Sequence, residues 1–432
     1  MQRFYHVQAE GTAMTNSSKS KVAVVYCDSY DDEQVYRAMR TGIDMLGGIE
    51  CFVGKNEKIL VKPNFLVPSE PDKAVITHPS VISAMLRILH EKGYMHICCG
   101  DSPGHGSLSS AFTQAGLNEV LKRYGVSEAD MADEVSVNFR EGIEAKQFWM
   151  TKAAAESDAI ISLSKMKTHA LEKITGAVKN LYGLICGYRK AAGHVKYPNA
   201  SIFARMLADI HRCVKPRLHI MDGIIAMEGN GPGSGTPVKM NVLLFSEDPV
   251  AIDAVFCRLV NLDPELVPTE VQGEALGIGT YHFDNIEISV NDYRSSDTSI
   301  EQGTDDSRPV CDAVLKNKKT DAAGSAGFEI ISSDELFDKF GKPEFDVDRN
   351  GSKKTFLSRF SDIMTGMARR PYIDEKLCIK CGICTEHCPV PGKAVNFSND
   401  RSKPPVYDYK KCIRCYCCQE MCPKHAIKVR KL

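Results

Sequence analysis

The chain has 432 residues, with Lys+Arg 54 against Asp+Glu 55 and a formal net charge of -1. That length can bury a large core in two or three domains, and the balanced charge excludes the broad basic field on which nucleic-acid or anionic-membrane binding relies. No apolar run approaches the roughly 20 residues of a membrane span, and the polar start MQRFYHVQAEGTAMTNSSKSK lacks the apolar centre of a signal peptide, so a cytoplasmic protein is expected.

Residues 1–20 read as a disordered leader, with Met14 as an alternative start. From Lys21 to about residue 340, β-type apolar runs alternate with helix-period segments: KVAVVYC then DDEQVYRAMRTGIDML, KILVKPN then HPSVISAMLRILHEKG, HICCGDSPG then SLSSAFTQAGLNEVLKRYG. This alternation predicts an α/β body, 21–340, on a large, mostly parallel sheet. Further strands are expected at DAIISLSK, RLHIMDGIIAM, VKMNVLLF and FDNIEISV, with helices at SIFARMLADIHRCV and DPVAIDAVFCRLV. The polar stretch Asn291 to Gly327 reads as a surface loop. Residues 341–371 read as a linker and a docking helix, TFLSRFSDIMTGMARRP.

The polar landmarks of the body fall at predicted strand ends, where α/β proteins place chemistry. KILVKPNFL leaves Lys62 and Asn64 at one end, VITHPS sets His78 before a helix, and GDSPG sets Asp101 in a glycine-rich turn. As single residues, His78 and Asp101 read equally well as helix caps. KMKTHALEKITGAVKNLYGLICGYRK is denser, with Lys165, Lys167, His169, Lys173, Lys179 and Arg189. Gly176, Gly183 and Gly187 would let a ligand approach the backbone, which favours an anion or cofactor pocket over a solvated basic face. Lys167, His169, Lys179 and Asp101 are taken as catalytic candidates, with His169 transferring a proton and Asp101 orienting it. Lys62, His78, Lys165 and Asn180 are cofactor-binding candidates.

The segment MDGIIAMEGNGPGSGTP reads as a long glycine-proline loop forming a substrate lid or pocket wall, with Asp222 and Glu228 as polar groups. It fits neither the dinucleotide fingerprint nor the P-loop, which argues against NAD and ATP. Asp248 in FSEDPVAIDAV reads as an N-cap.

The strongest pattern lies in 372–432. Nine of the 17 cysteines fall between Cys378 and Cys422, too clustered for a disulfide framework. CIKCGICTEHCPVPGKAV and CIRCYCCQEMCPKHAI each read C-x2-C-x2-C-x3-C-P. Three thiolates at this spacing wrap one cubane, while the fourth, ahead of proline, reaches the cluster of the other repeat. Two [4Fe-4S] clusters are therefore expected, one on Cys378, Cys381, Cys384 and Cys422 and one on Cys412, Cys415, Cys418 and Cys388. Zinc would need only paired cysteines and would leave the rest unexplained. Cys417 aligns with Ile383 and reads as a spare, small apolar packing residue. This α+β ferredoxin-like two-cluster domain has few large apolar side chains, so its clusters should supply much of its folding free energy. Its excess of lysine and arginine suits charge compensation or an acidic redox partner.

KPNFL, THP, GDSPG, KMKTH, GAVKNLYG, DGIIAMEGNGPGSGTP and SEDPVAIDAV together resemble the domain of unknown function 362 family, over residues 21–290 plus the tail. The resemblance implies an α/β fold, a two-cluster ferredoxin domain and an origin among anaerobes, but no established reaction. The spacing of His169, Lys179 and His194 is also similar to that around the cofactor-bearing lysine of the nickel-pincer lactate racemases.

The expected function is single-electron transfer through the clusters to or from a site in the body, as an oxidoreductase acting on an anionic small molecule with a redox partner protein. The alternatives are a ferredoxin-like carrier whose body docks a partner complex, and a racemase-like enzyme with a metal cofactor.

Overall fold

The computed structural model describes residues 19–295, 327–351, 369–398 and 400–430. Most of the expected leader, most of the polar stretch after Asn291, and the expected docking helix lie outside the described residues.

The strands are β1 Ser20–Tyr26, β2 Ile59–Pro63, β3 Ile97–Cys99, β4 Ser127–Glu128, β5 Glu134–Asn138, β6 Gln147–Thr151, β7 Ala159–His169, β8 Lys173–Thr175, β9 Leu218–Glu228, β10 Thr236–Ser246, β11 Ile286–Asn291 and β12 Glu329–Ile331. The body is built on one large sheet in the order β12-β11-β1-β10-β9-β7-β2-β3-β4, with β8 hairpinned onto β7 and β5–β6 a separate hairpin. Only β8, β10 and β12 run against the others, so the sheet is mostly parallel as expected. Ser20 already belongs to β1, so the expected leader ends before it.

Helices cover both faces, which is why the strands read as continuous apolar runs. In β1 the period of two sends Ala23 and Val25 to one core and Val22 and Val24 to the other. The first core holds Val35, Met39 and Ile43 of the helix Asp32–Met45. The second holds Ala251, Val255 and Phe256 of the helix Pro249–Leu259. Asp248 caps that helix as expected, accepting from the amides of Val250 and Ala251 at 2.8 Å.

The Gly-Pro segment differs from its expected form. Asp222 and Glu228 lie within β9, and only Gly229–Gly235 turns, leading directly into β10. In this turn the Gly231 Cα passes so close to Thr168 that a Cβ would lie 2.3 Å from its carbonyl oxygen. The turn seats the cysteine-rich domain, and its Gly229, Asn230 and Gly231 line a cavity with Thr168 and Lys173. The side chain of Gln419 donates to the carbonyls of Asn230 (2.8 Å) and Gly231 (3.1 Å), and Asn230 donates back to Ile427 O at 3.0 Å.

The cysteine-rich domain has β13 Arg370–Ile373 paired with β16 Ile427–Arg430, and β14 Val395–Asn396 paired with β15 Val406–Tyr407. Two short helices, Ile383–Glu386 and Cys417–Glu420, follow the two cysteine loops. Its buried core is small, Ala394, Val395 and Ile427 around Cys388 and Cys418. Among the described residues no helix is long and apolar enough to cross a membrane.

Candidate functional site

The like-directed strands of the body bring their carboxyl ends to one edge, and the polar side chains gather there. Two ion pairs are buried in that edge. The Lys62 ammonium, fully buried, lies 2.9 Å from Asp101 Oδ1 and donates to Asn180 Oδ1 at 3.0 Å. Asp101 also accepts from the amides of Phe65 (2.6 Å) and Ser102 (2.9 Å), so both of its oxygens are engaged. Burial pushes the Lys62 pKa down against the pull of Asp101. Gly183 packs on this pair so tightly that a Cβ would lie 1.8 Å from Asp101 Oδ1.

The second pair follows from register, since Lys165 on β7 and Asp222 on β9 are direct neighbours. Their charged atoms are 2.7 Å apart, and Tyr30 OH lies 2.7 Å from Lys165 Nζ and 2.8 Å from Asp222. The His78 amide donates to Asp222 at 3.0 Å, its ring stacks on Tyr30 at 3.5 Å, and its Nδ1 accepts from the Ser80 amide. Burial lowers the His78 pKa to about 4, leaving it neutral. His78 and Lys165 are thus held by internal partners, away from the cleft described below.

Among the described residues Lys167 has no carboxylate partner, and it donates to Val75 O at 2.8 Å. Burial, then the charges of Lys179 and Lys165, brings its pKa to about 7. His169 Nδ1 accepts from the amides of Leu171 (3.1 Å) and Glu172 (3.0 Å), which puts its proton on Nε2. That nitrogen donates to Glu420 Oε1 at 3.0 Å, across to the cysteine-rich domain. Burial and Lys179 hold His169 at about 4. Burial opposes ionisation of Glu420, yet the His169 hydrogen bond and the Lys179 charge keep it at about 2. The expectation that Asp101 orients His169 is therefore corrected: Asp101 serves Lys62, and Glu420 is the partner of His169.

A cleft with about 470 Å³ of room for water-sized molecules opens between this edge and the cysteine-rich domain. From the body it is lined by Asp101, Lys179, Asn180 and His194, and from the tail by Glu386, His387, Cys417 and Glu420. Lys62, Lys167 and His169 lie behind this wall rather than on it. Lys179 is half-buried. Beside it Glu172 is buried with neither carboxyl oxygen hydrogen-bonded, and burial raises its pKa to about 8 against the pull of Lys179. Lys190, which sequence reasoning missed, also lines the cleft and donates to Ser102 O. Its only sequence signal was its place three residues after Gly187, on the same face of the helix Gly187–Lys196. Glu420 was missed because it is 251 residues from its partner.

The cysteine-rich domain contains two further cavities. Cys378, Cys381, Cys384 and Cys422 line one, and Cys388, Cys412, Cys415 and Cys418 line the other. Each cavity is thus lined by three cysteines of one repeat and the fourth of the other. Both crossing sulfurs accept a backbone amide, Cys388 from Ala394 at 3.2 Å and Cys422 from Ala426 at 3.3 Å, and Tyr407 OH donates to Cys418 at 3.1 Å. Among the described residues no three ligand-type side chains converge closely enough to hold one metal ion. Four thiols spread around a cavity instead suit a multi-iron cluster, whose metal-sulfide core keeps its thiolates apart. Cys417 is not simply apolar packing, because it is hydrogen-bonded to Cys415 and faces the cleft.

Comparison with known proteins supports this organisation. The domain of unknown function 362 matches residues 59–258, and a 4Fe-4S dicluster domain matches residues 370–423. A thylakoid-associated protein of Synechocystis sp. is 33% identical over 264 residues, 60% of this chain and 79% of that protein. The lactate racemase apoprotein of Thermoanaerobacterium thermosaccharolyticum overlays with a TM-score of 0.36 and 13% identity, covering 54% of this chain and 56% of that chain. A Thermotoga maritima protein overlays with a TM-score of 0.31 and 14% identity, covering 59% and 60%. The dicluster match supports iron-sulfur binding and electron transfer. The chain belongs to the domain of unknown function 362 family, with a 4Fe-4S dicluster domain following its α/β body.

Proposed function

We propose that the protein is an iron-sulfur oxidoreductase in which the cysteine-rich domain exchanges single electrons with a molecule bound in the cleft. Cys378, Cys381, Cys384 and Cys422 would hold one [4Fe-4S] cluster, and Cys388, Cys412, Cys415 and Cys418 the other. Bound there, such clusters supply one-electron oxidation and reduction. The observation that carries the reading is that one wall of the cleft is the cysteine loop itself. Cys417, hydrogen-bonded to Cys415, and Glu420, two residues beyond Cys418, face the same space as Asp101 and Lys179 of the body.

The residues of the chain then divide the work. Lys62 and Asp101 neutralise each other and fix the floor of the cleft. Glu420 and His169 lock the two domains together, with the His169 proton held on Nε2. Lys179 presents a cation to the bound molecule. A redox partner protein supplies or removes the electrons from outside.

The test uses the full-length, anaerobically purified and chemically reduced protein. Small metabolites are screened for reoxidation of the visible iron-sulfur absorbance in the wild type and in Ala191→Trp, which fills the cleft from the helix Gly187–Lys196. A compound that reoxidises the wild type at least tenfold faster than the variant supports the oxidoreductase. If no compound separates the two while a redox protein exchanges electrons with both, the chain is a carrier.

A further inference from the structure

The free hydrogen-bonding groups of the cleft indicate what it takes. We propose that it binds a small molecule through an oxyanion, a carboxylate or a phosphate, anchored by Lys179 with His194 on the same cleft. The identity of this ligand as a redox substrate rests on the proposed function, whereas its binding does not.

The argument concerns which groups are unsatisfied, not net charge. The acceptors on the body side are taken. Asp101 is saturated by Lys62 and two amides, and Asn180 Oδ1 takes Lys62. Glu420 gives Oε1 to His169, and Glu386 lies exposed at the rim. The donors are different. Lys179 forms no hydrogen bond or ion pair among the described residues, and its neighbour Glu172 is a buried carboxyl with no hydrogen-bond partner.

The helix Gly187–Lys196 begins at Cys186, whose carbonyl takes the Arg189 amide at 2.9 Å. Gly187, Lys190, Ala191 and His194, at helical spacing, turn one face of it to the cleft. The second, independent observation is His194 in the last turn of that helix, which is 5% exposed, lines the cleft, and among the described residues has no hydrogen-bond partner for Nδ1. A buried polar atom without a partner, on the same cleft as a free ammonium, fits a ligand that brings its own oxygens. The volume of the cleft suits a metabolite-sized molecule.

The test is anaerobic isothermal titration of the full-length, cluster-loaded protein with inorganic phosphate in one arm and succinate in the other. Binding in at least one arm is expected, and the arm with the lower Kd identifies the class. Lys179→Ala should weaken that binding about tenfold or more, and Lys179→Arg should stay within about threefold of the wild type. Circular dichroism on each variant reports folding, and Lys179→Gln replaces the alanine variant if that one unfolds. No binding of either probe, or equal binding by Lys179→Ala, overturns the proposal. Anion binding without any cleft-dependent reoxidation would sink the proposed function and leave this site standing. Cleft-dependent reoxidation by an uncharged compound, with no anion bound, would do the reverse.

Discussion

The buried pair Lys165–Asp222 makes a quantitative prediction. The two side chains are 1% and 0% exposed, 2.7 Å apart, and tied to Tyr30. Asp222→Asn keeps the shape but removes the charge, leaving the Lys165 ammonium with neutral partners. Breaking a buried pair from one side costs about 3–5 kcal/mol, because the remaining ion is desolvated without compensation. The loss should depend on pH. Burial already pushes Lys165 below its ordinary value, and Asp222 is what opposes that shift. In the variant the folded-state pKa falls further. The penalty is then full below that pKa and fades as pH rises toward the unfolded value near 10.4, because there the unfolded chain holds a proton that the folded chain has released. The assay is denaturant unfolding followed by circular dichroism at neutral and alkaline pH. The double variant Lys165→Met/Asp222→Leu should lose much less than Asp222→Asn alone. A loss below about 1 kcal/mol at neutral pH, or a double variant as damaged as the sum of the singles, would refute the reasoning.

Other outcomes follow from the same geometry. Lys167→Met should stabilise the protein at pH 6 by about 2–3 kcal/mol, since a buried lysine with a pKa of about 7 costs up to about 4 kcal/mol and its bond to Val75 O returns about 1. That gain should shrink steadily between pH 7 and 10, and a gain independent of pH would exclude the burial of this charge. Gly183→Ala should lower the melting temperature markedly, because the added methyl would lie 1.8 Å from Asp101 Oδ1 and must open its pair with Lys62. Cys384→Ser and Cys422→Ser should alter the same electron paramagnetic resonance signal, and Cys388→Ser and Cys415→Ser the other. If Cys422→Ser instead changes the signal that Cys415→Ser changes, the crossing assignment is wrong.

Much of the fold was legible because it is local. The run KVAVVYC has the strand period and doubly buried composition that became β1, and Asp248 followed by Pro249 is an N-cap signature that the helix there uses. The cysteine repeats are legible as a pattern, since their register aligns the two C-x2-C-x2-C-x3-C-P runs and isolates Cys417. What stayed hidden is long-range. KMKTH reads as a basic cluster, but strand register gives each of its side chains a different partner: Asp222 for Lys165, a carbonyl for Lys167, Glu420 for His169. GNGPGSG reads as a long loop, although Gly231 is needed because Thr168 presses against it and Gly233 because Glu420 of the cysteine-rich domain does. His78 reads either as a site residue or as a helix cap, and here it caps the helix Pro79–Glu91 while stacking on Tyr30.

The most direct measurement is the iron and acid-labile sulfide content of the anaerobically purified chain, taken with its low-temperature electron paramagnetic resonance spectrum after reduction. The account predicts about eight irons and eight sulfides per chain and the spectrum of two interacting [4Fe-4S] centres. Stoichiometric zinc, or about four irons or fewer in a fully folded preparation, would contradict it.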